Sequence, residues 1–560
     1  MLSRTLQGLL AISASIAILG CNKPKEDQTP TEQPTQPVEV RILAINDLHG
    51  NIEQPGSGLR VDGEKVPAGG LDVMATYINT LRQEEPNTAF VCAGDLIGAS
   101  PLISALFHDE PTIEAMNKLQ LDVLAVGNHE FDDGVEEITR LANGGCHKEL
   151  GCQGKESFEG ANFPFLAANV IVEESQTTLF PASLIKEYEG VKVGFIGLTL
   201  EGTDKAVSPE AIKGITFLDE SETINKEVKL LQQQGVETII VVMHEGGWQG
   251  QRDDFNGCES LDGPIVEINK NVDPAVDVII TGHTHQYYNC LIDNRIVTSA
   301  KDYGRMITSI DLSIDPTTGD VVSKQATNIP ILRKDMEINP EMASHLQTYR
   351  ELVAPLASKN VGLIKADIAR SMDEQGNSPV GQIVADAQWL ATQSQEAGGA
   401  HFALMNPGGV RNDLVFAPTN TEPEGVLTYE ELHSVQPFGN TLTVIALTGA
   451  QIEALLEEQW GKEGRLSILQ PSKNFTYTWH DTEGDHVKLE EIILNGQPLV
   501  ADQTYNVTVN SFLASGGDGF TTLTKGTIVA GGPVDLDVFV NYIEQNSPIQ
   551  APEKARIVKK

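Results

Sequence analysis

The stretch LDVLAVGNHE, residues 121–130, is an apolar-rich run followed directly by a polar cluster with a glycine. Four other places in the chain repeat this arrangement. They are residues 40–45 before Asn46-Asp47-Leu48-His49-Gly50, 89–93 before Gly94-Asp95, 236–243 before His244-Glu245-Gly246, and 276–281 before Gly282-His283-Thr284-His285. Helical patterns lie between several of them, such as residues 71–82 and 220–234. Near-continuous apolar strands that alternate with helices predict a layered α/β domain.

The polar clusters carry a common chemistry. In α/β folds ligands bind at the carboxyl ends of the strands, so all five clusters are expected to project into one place. They collect Asp, Asn and His side chains, which are ligands for divalent ions such as Zn or Mn. One Asp or His alone is more often a cap or a turn residue. Five clusters, each placed directly after a strand, favour a metal site.

The combined pattern D-x-H, G-D, G-N-H-E, H and G-H-x-H resembles the signature of calcineurin-like metallophosphoesterases. The resemblance implies a four-layer α/β/β/α sandwich over residues 39–335 that holds two divalent ions, whether Zn, Mn, Co or Mg. It also implies that Asp95 bridges the two ions. The other implied ligands are Asp47, His49 and His285 for one ion, and Asn128, His244 and His283 for the second. Two such ions can polarise a phosphoryl group and generate hydroxide at neutral pH.

His129 and Asp132 follow the Asn128 position closely. By the same resemblance, His129 stabilises the transition state or protonates the leaving group, and Asp132 orients it. An imidazole near the ions but outside the ligand set can serve as a general acid. A carboxylate on its other nitrogen would set the tautomer and raise its basicity. The alternative is that His129 is only a hydrogen-bond donor behind the ligands.

The later part of the chain predicts a linker helix, residues 336–358, and then a second domain, residues 359–552. Three clusters there combine a glycine turn with a charge or an aromatic ring. They are NPGGVR at residues 406–411, QPFGN at 436–440 and SFLASGGDGF at 511–520. They resemble the C-terminal domain of the 5′-nucleotidase family, which implies a smaller α/β substrate-binding domain.

This second resemblance implies that Phe438 and Phe512 sandwich a nucleobase, which suits a sequence-tolerant aromatic clamp. Asp518 would accept hydrogen bonds from ribose hydroxyls. The remaining implied substrate contacts are Arg370, Asn406, Gly409, Arg411 and Asn440. Core packing is the alternative for each aromatic ring. The chain departs from some family members at Glu374, where they carry an arginine, and this bears on phosphate binding.

The N-terminus predicts export. Residues 1–20 read as a signal peptide because Arg4 precedes an apolar run of eleven residues, 9–19, which is short for a membrane-spanning helix. Cys21 resembles a lipobox cysteine, and residues 21–38 read as a flexible tether. These features predict a lipid anchor at a bacterial outer membrane, cell surface or periplasm. A plain secretory signal with an incidental cysteine is the alternative.

Five cysteines remain if Cys21 is lipidated. Cys146 and Cys152 flank a short loop that they could close, and Cys258 and Cys290 could pair. Cys92 lies in an apolar strand-like run and is expected to be a buried free thiol.

Composition and net charge narrow the range of possible functions. The chain has 560 residues, ordinary globular composition and a formal net charge of −39, which opposes sequence-independent binding to nucleic acid polymers. Two divalent cations would locally reverse this field for a small phosphate ester. The sequence therefore predicts an exported 5′-nucleotidase that hydrolyses nucleoside 5′-phosphates. Hydrolysis of UDP-sugars, NAD or 2′,3′-cyclic nucleotides on the same scaffold stays open, as does a non-catalytic surface protein that binds nucleosides.

Overall fold

The computed structural model describes residues 36–560 apart from positions 57, 62, 251–253, 419–422, 461–466 and 483–485. The predicted signal peptide, Cys21 and most of the predicted tether lie outside the described residues. Among the residues that the structure describes, no helix is both long enough and apolar enough to cross a membrane.

Two six-stranded sheets form the centre of the N-terminal domain. The first has the spatial order Val321–Pro330, Met306–Ile314, Val38–Ile45, Thr88–Ala93, Val123–Ala125 and Phe165–Leu166. The second has the order Tyr287–Ile292, Arg295–Ala300, Val276–Thr281, Thr238–Met243, Val191–Leu198 and Ser183–Tyr188. The central strands of each sheet run parallel. The sheets pack face to face, because one apolar cluster joins Ile42 and Val91 of the first sheet to Val242 and Val278 of the second.

Helices cover both outer faces. Those of the domain are Leu71–Glu84, Leu102–Ala105, Glu110–Leu119, Val135–Asn143, Thr203–Ala206, Glu220–Gln232 and Pro264–Asn271. One apolar cluster joins the first sheet to helices that include Leu71–Glu84, and another joins the second sheet to Glu220–Gln232 and Pro264–Asn271. The smaller strands are Leu59–Val61, Glu64–Val66, Val170–Val172, Thr177–Thr178 and Ile215–Phe217. This layer order confirms the predicted α/β/β/α sandwich.

The observed elements differ from the predicted ones at their ends. The helix expected over residues 220–234 ends at Gln232, and Gly235 then has φ of 70°, a conformation that favours glycine. The strand expected over residues 121–126 is Val123–Ala125, because the Leu121 amide still bonds to Met116 O at the end of the preceding helix.

The helix Pro340–Ala357 lies between the two domains. Its N-cap is the Asn339 side chain, which accepts a hydrogen bond from Met342 N at 3.0 Å. Leu346 and Tyr349 belong to the apolar cluster of the first domain, so the helix packs on that domain. The domain boundaries given above stay a prediction.

The C-terminal domain has a central sheet with the order Gln470–Pro471, Phe402–Met405, Thr504–Asn510, Thr441–Thr448 and Thr527–Val534. A second sheet has the order Gln497–Pro498, His486–Leu494, Phe475–Thr482 and Ile557–Lys559, and Asn360–Leu363 pairs with Val426–Thr428. The helices are Pro379–Thr392, Tyr429–Val435, Gly449–Glu457, Ser511–Ala514 and Asp535–Asn546. Separate apolar clusters fill the domain, one including Val384 and Phe539, the other Leu455 and Phe475.

Two disulfides join Cys146 to Cys152 and Cys258 to Cys290, and Cys92 is a buried free thiol, as the sequence suggested.

Candidate metal centre and adjoining substrate site

The five predicted clusters meet where the two sheets face each other. Three follow strands of the first sheet and two follow strands of the second. Several of the predicted ligands have positive φ, which is uncommon and costly for residues other than glycine. They are Asp47 (50°), His49 (48°), Asp95 (48°), His283 (68°) and His285 (55°). Such strain clusters at functional sites, because the surrounding structure must hold it in place.

One half of the centre consists of Asp47, His49 and His285. Their ligand atoms all lie within 4.8 Å of one another. His285 Nε2 lies 3.5 Å from Asp47 Oδ1 and 3.1 Å from His49 Nε2. A carboxylate and two imidazoles at these separations can share one divalent ion.

The other half consists of Asp95, His244 and His283, which form a second such group. His244 Nε2 lies 2.9 Å from Asp95 Oδ2, and His283 Nδ1 lies 3.0 Å from Asn128 Oδ1. The same Asp95 Oδ2 is 3.7 Å from His49 Nε2, so this carboxylate stands between the halves. The structure thus brings together every side chain that the sequence predicted as a ligand.

Backbone and carboxylate oxygens orient the imidazole rings of the metal centre. In three of them the Nδ1 atom faces an oxygen that can only accept a hydrogen bond. These pairs are His49 with Gly98 O at 2.9 Å, His244 with Ala93 O at 2.8 Å, and His285 with the Asp302 carboxylate at 3.1 Å. Nδ1 therefore carries a hydrogen in all three rings, and in His49 and His285 this leaves the lone pair on Nε2. Two Nε2 lone pairs, of His49 and His285, then face each other at 3.1 Å, an arrangement that a cation between them stabilises.

The charges of the site favour a cation as well. Burial lowers the pKa of His49 well below its usual value, so this ring is neutral. Burial opposes the ionisation of Asp95, but His244 and His129 outweigh it and hold the carboxyl pKa well below its usual range. Burial would likewise lower the pKa of His244, yet the Asp95 carboxylate raises it to about 10. The buried Asp95 carboxylate is stabilised by a positive charge beside it. A metal ion can supply that charge in place of the proton on His244.

Glu130 supports the centre, a role that was not predicted from the sequence. Its buried carboxylate accepts hydrogen bonds from the backbone of two of the three ligand loops of the first sheet. The donors are Asp95 N at 3.0 Å, Leu96 N at 2.7 Å, Ile97 N at 3.2 Å and Gly127 N at 2.5 Å. Glu130 thereby ties the Asp95 loop to the Asn128 loop. Its place in the G-N-H-E motif is the sequence signal from which this role could have been predicted.

A second unpredicted support follows the strand Arg295–Ala300. Asp302 faces His285 Nδ1, and Asn46 donates to Asp47 Oδ2 at 2.6 Å and to Lys301 O at 2.8 Å. Such partners orient the ligands and tune their affinity. The signal was present, because this strand too ends in polar residues.

His129 and Asp132 form the expected pair, with His129 Nδ1 2.7 Å from Asp132 Oδ2. The His129 backbone amide donates to Asp95 Oδ1 at 2.9 Å, and the ring lies 5.0 Å from that of His49. Burial lowers the pKa of His129, but the Asp132 and Asp95 carboxylates outweigh it and raise the value. A protonated imidazole beside the metal cluster can act as a general acid.

Two of the predicted substrate residues of the second domain reach the metal centre. The half-buried Phe438 ring stacks on the His129 ring, with centroids 5.7 Å apart and planes inclined by 16°. The Arg411 guanidinium carbon lies 5.7 Å from the centre of the same phenyl ring. Arg370 is close to this segment, since its Nη1 donates to Val410 O at 3.3 Å.

The remaining predicted substrate residues gather around the end of the strand Thr504–Asn510. Asn406 Nδ2 donates to Asp518 Oδ2 at 2.7 Å, and Asn440 Oδ1 accepts from Ser511 Oγ at 3.0 Å. Gly409 packs closely, because a Cβ there would lie 2.9 Å from Asn406 Oδ1. The Phe512 ring covers Gly517, where a Cβ would lie 2.5 Å from it.

Three further side chains of the second domain differ in their surroundings. Glu374 is exposed. Phe475 is a core residue that stacks on Phe402 at 4.0 Å. Asp386 is structural, because it forms a buried ion pair with Arg556 at 2.7 Å.

Comparisons with known proteins agree with this architecture. Residues 40–287 match the calcineurin-like phosphoesterase family, and residues 356–525 match the 5′-nucleotidase C-terminal domain. The chain is 33% identical over 539 residues to the endonuclease YhcR of Bacillus subtilis. The aligned region covers 94% of the chain and 41% of that relative. It therefore spans about two-fifths of the relative's length.

The chain is also similar to two 5′-nucleotidases over nearly its whole length. The chain is 26% identical over 582 residues to a 5′-nucleotidase of Vibrio cholerae, covering 97% of the chain and 96% of that protein. The crystal structure of a 5′-nucleotidase precursor from Thermus thermophilus superposes with a TM-score of 0.76 at 24% identity, covering 93% of the chain and 99% of that structure.

Proposed function

This chain belongs to the 5′-nucleotidase family of calcineurin-like phosphoesterases, and on that premise we propose that it hydrolyses nucleoside 5′-phosphates to nucleoside and inorganic phosphate. The family consists of metal-dependent phosphoester hydrolases. The observation that carries the proposal is the meeting of His129, beside the metal cluster, with Phe438 and Arg411 of the second domain. Phosphoryl chemistry and aromatic recognition then share one site.

Two divalent ions are part of the proposal. Asp47, His49 and His285 would hold one, Asn128, His244 and His283 would hold the other, and Asp95 would bridge them. Divalent ions held there supply charge to polarise the phosphoryl group and to lower the pKa of water. Which of Zn, Mn, Co and Mg occupies the two sites depends on the metal available to the protein, because these ligand types accept all of them.

The residues of the chain divide the remaining work. Water adds to phosphorus while the bond from phosphorus to the 5′-oxygen breaks, and His129 Nε2 delivers a proton to that oxygen. The proton that the attacking water gives up then restores the imidazolium through solvent, so the cycle balances. Asp132 holds the opposite nitrogen of the ring at 2.7 Å and stabilises the imidazolium. Arg411 and Arg370 bind the phosphate or ribose side, since a guanidinium fork matches phosphate oxygens. Phe438 and Phe512 hold the base, and Asn406, Gly409, Asn440 and Asp518 form the ribose side of the pocket.

Release of phosphate from purified protein tests the function. AMP, ADP, ATP, UDP-glucose, NAD and a 2′,3′-cyclic nucleotide are compared with several metals, and AMP is expected to be turned over best. Asp95→Ala should abolish both turnover and metal loading. Asp311→Ala, which removes a surface carboxylate paired with Arg41, is the matched control and should behave as wild type. Near-normal turnover by the Asp95 variant would contradict the two-metal centre.

The same assay decides among the alternatives. Preference for UDP-glucose, NAD or the cyclic nucleotide would replace the 5′-nucleotidase assignment by the corresponding phosphoesterase. Binding of nucleosides without turnover of any ester, with metals present, would indicate a surface binding protein.

Export and lipid anchoring also belong to the proposal, and their support is the sequence of residues 1–38 alone. Cell fractionation with mass spectrometry of the N-terminal peptide tests them. Acylated Cys21 in the membrane fraction, and release of the Cys21→Ser protein from that fraction, are the expected results.

A further inference from the structure

We propose that Phe438, besides forming one side of the base clamp, is a positioning residue for His129. This inference rests on the proposed function. It makes part of the catalytic geometry of the first domain depend on a residue of the second domain, even for substrates that have no base.

The contacts of the His129 ring carry the argument. Nδ1 is held by Asp132 at 2.7 Å, and the ring edge meets His49 at 5.0 Å with an angle of 73°. A third contact covers a face of the ring, where Phe438 stacks at 5.7 Å and 16°. The hydrogen bond to Asp132 is made at the ring edge, whereas Phe438 lies, with a lateral offset, over a ring face. The phenyl ring therefore adds a contact from the second domain to a side chain that stays 15% exposed.

The geometry leaves the reactive edge of His129 free. One ring nitrogen of His129 lies within 4.8 Å of ligand atoms of His49 and Asp95. Since Nδ1 is occupied by Asp132 and the stack lies on a face, Nε2 is the nitrogen left available to the metal cluster. A covered face excludes water and strengthens the hydrogen bond to Asp132, because interactions of charged groups grow in a low-dielectric surrounding. The stack also limits rotation of the imidazole.

Phe438 is itself firmly held. It follows the helix Tyr429–Val435, which packs on the interdomain helix Pro340–Ala357. The Arg411 backbone amide donates to Val435 O at 2.9 Å, and its guanidinium approaches the Phe438 ring. The ring thus reaches His129 from a braced segment, as a positioning role requires.

The first experiment compares AMP with ribose 5-phosphate, which has the same leaving oxygen and no base. A ring that only clamps the base affects AMP alone. We expect Phe438→Ala to raise KM for AMP and also to lower turnover of ribose 5-phosphate about three- to tenfold, the range of an aromatic stacking contact. Phe438→Tyr should restore turnover. Ile528→Ala, an exposed apolar residue of the second domain, is the control and should match wild type.

A double-mutant cycle separates positioning from a general structural effect. In a His129→Ala background, Phe438→Ala should cause no further loss with ribose 5-phosphate, because its action passes through the imidazole. A further loss of the same size in that background would overturn the inference. Wild-type turnover of ribose 5-phosphate by the single Phe438→Ala variant would overturn it as well.

A second readout needs no turnover. Diethyl pyrocarbonate modifies accessible imidazoles, and mass spectrometry of peptides gives the rate at His129 relative to the exposed His401. Phe438→Ala should raise that rate about three- to tenfold, and Phe512→Ala should leave it unchanged. An unchanged rate in Phe438→Ala overturns the inference. If wild type hydrolyses neither ester, the proposed function fails, and this measurement still decides the role of Phe438.

Discussion

Glu130→Gln is the sharpest test of how the metal centre is held. The Glu130 carboxylate uses Oε2 to accept from Asp95 N and Gly127 N, and Oε1 to accept from Leu96 N and Ile97 N. Glutamine keeps the size of the side chain but replaces one oxygen by an NH₂ group, which cannot accept. Whichever way the amide turns, two buried backbone donors lose their acceptor.

The magnitude follows from those two donors. An unsatisfied buried donor costs about 1–3 kcal/mol, so the variant should lose about 2–6 kcal/mol of unfolding free energy. Because Glu130 joins the Asp95 loop to the Asn128 loop, metal affinity should also fall about 10- to 100-fold, the range for residues that orient ligands.

The effect should depend on pH. Burial and the Asp95 charge raise the pKa of Glu130 to about 7 in the metal-free protein. The folded pKa lies above the usual value of 4.5, so folding favours the protonated acid and wild type gains stability as pH falls from about 8 to about 5. Glutamine does not titrate, so the gap between wild type and variant should widen over that range.

Urea unfolding of metal-free protein and calorimetric metal titration measure the two effects. Glu458→Gln is the matched control, because the Glu458 carboxylate also accepts from a backbone amide, Thr522 N at 3.1 Å, but in the second domain. It should lower stability and leave metal affinity unchanged. Equal unfolding free energies of wild type and Glu130→Gln at about pH 8 would refute the reasoning.

Three further predictions concern other groups. Asp302→Asn weakens the partner of His285 Nδ1 and should lower metal affinity about 10- to 100-fold by calorimetry; an unchanged affinity would contradict its orienting role. His129→Ala should lower kcat for AMP about 10²- to 10⁴-fold with metal content, measured by plasma mass spectrometry, unchanged; full kcat would remove His129 from catalysis. Burial raises the pKa of Glu220 to about 7, so folding favours its protonated form and stability is lost as pH rises from about 4.5 to about 7. Glu220→Gln should remove that loss, about 3 kcal/mol, in unfolding free energies measured across this range, whereas parallel pH curves would speak against it.

The sequence predicted the α/β/β/α sandwich and the side chains that gather at the metal centre. Asp47, Asp95 and His244 each follow a buried strand, and this pattern is local: strand, glycine turn and ligand lie within a few residues of one another. Some predicted ends were off by one or two residues where a turn, such as that at Gly235, decides the end. The linker helix begins at Pro340, four residues after its predicted start, because Asn339 caps it. The disulfide pairs followed from the spacing of the cysteines and their loop surroundings.

Other features depended on packing over long distances. Glu130 was visible in its motif, but that its carboxylate clasps two separate loops depends on the pairing of their strands. The contact of Phe438 with His129 joins residues 309 positions apart, and no periodicity of either segment encodes it. By itself, the sequence determined which side chains are available as metal ligands, because ligand chemistry resides in residue type and in the strand ends that present it. Only the tertiary structure decided which groups enclose the reacting imidazole, because that enclosure comes from two domains packing against each other.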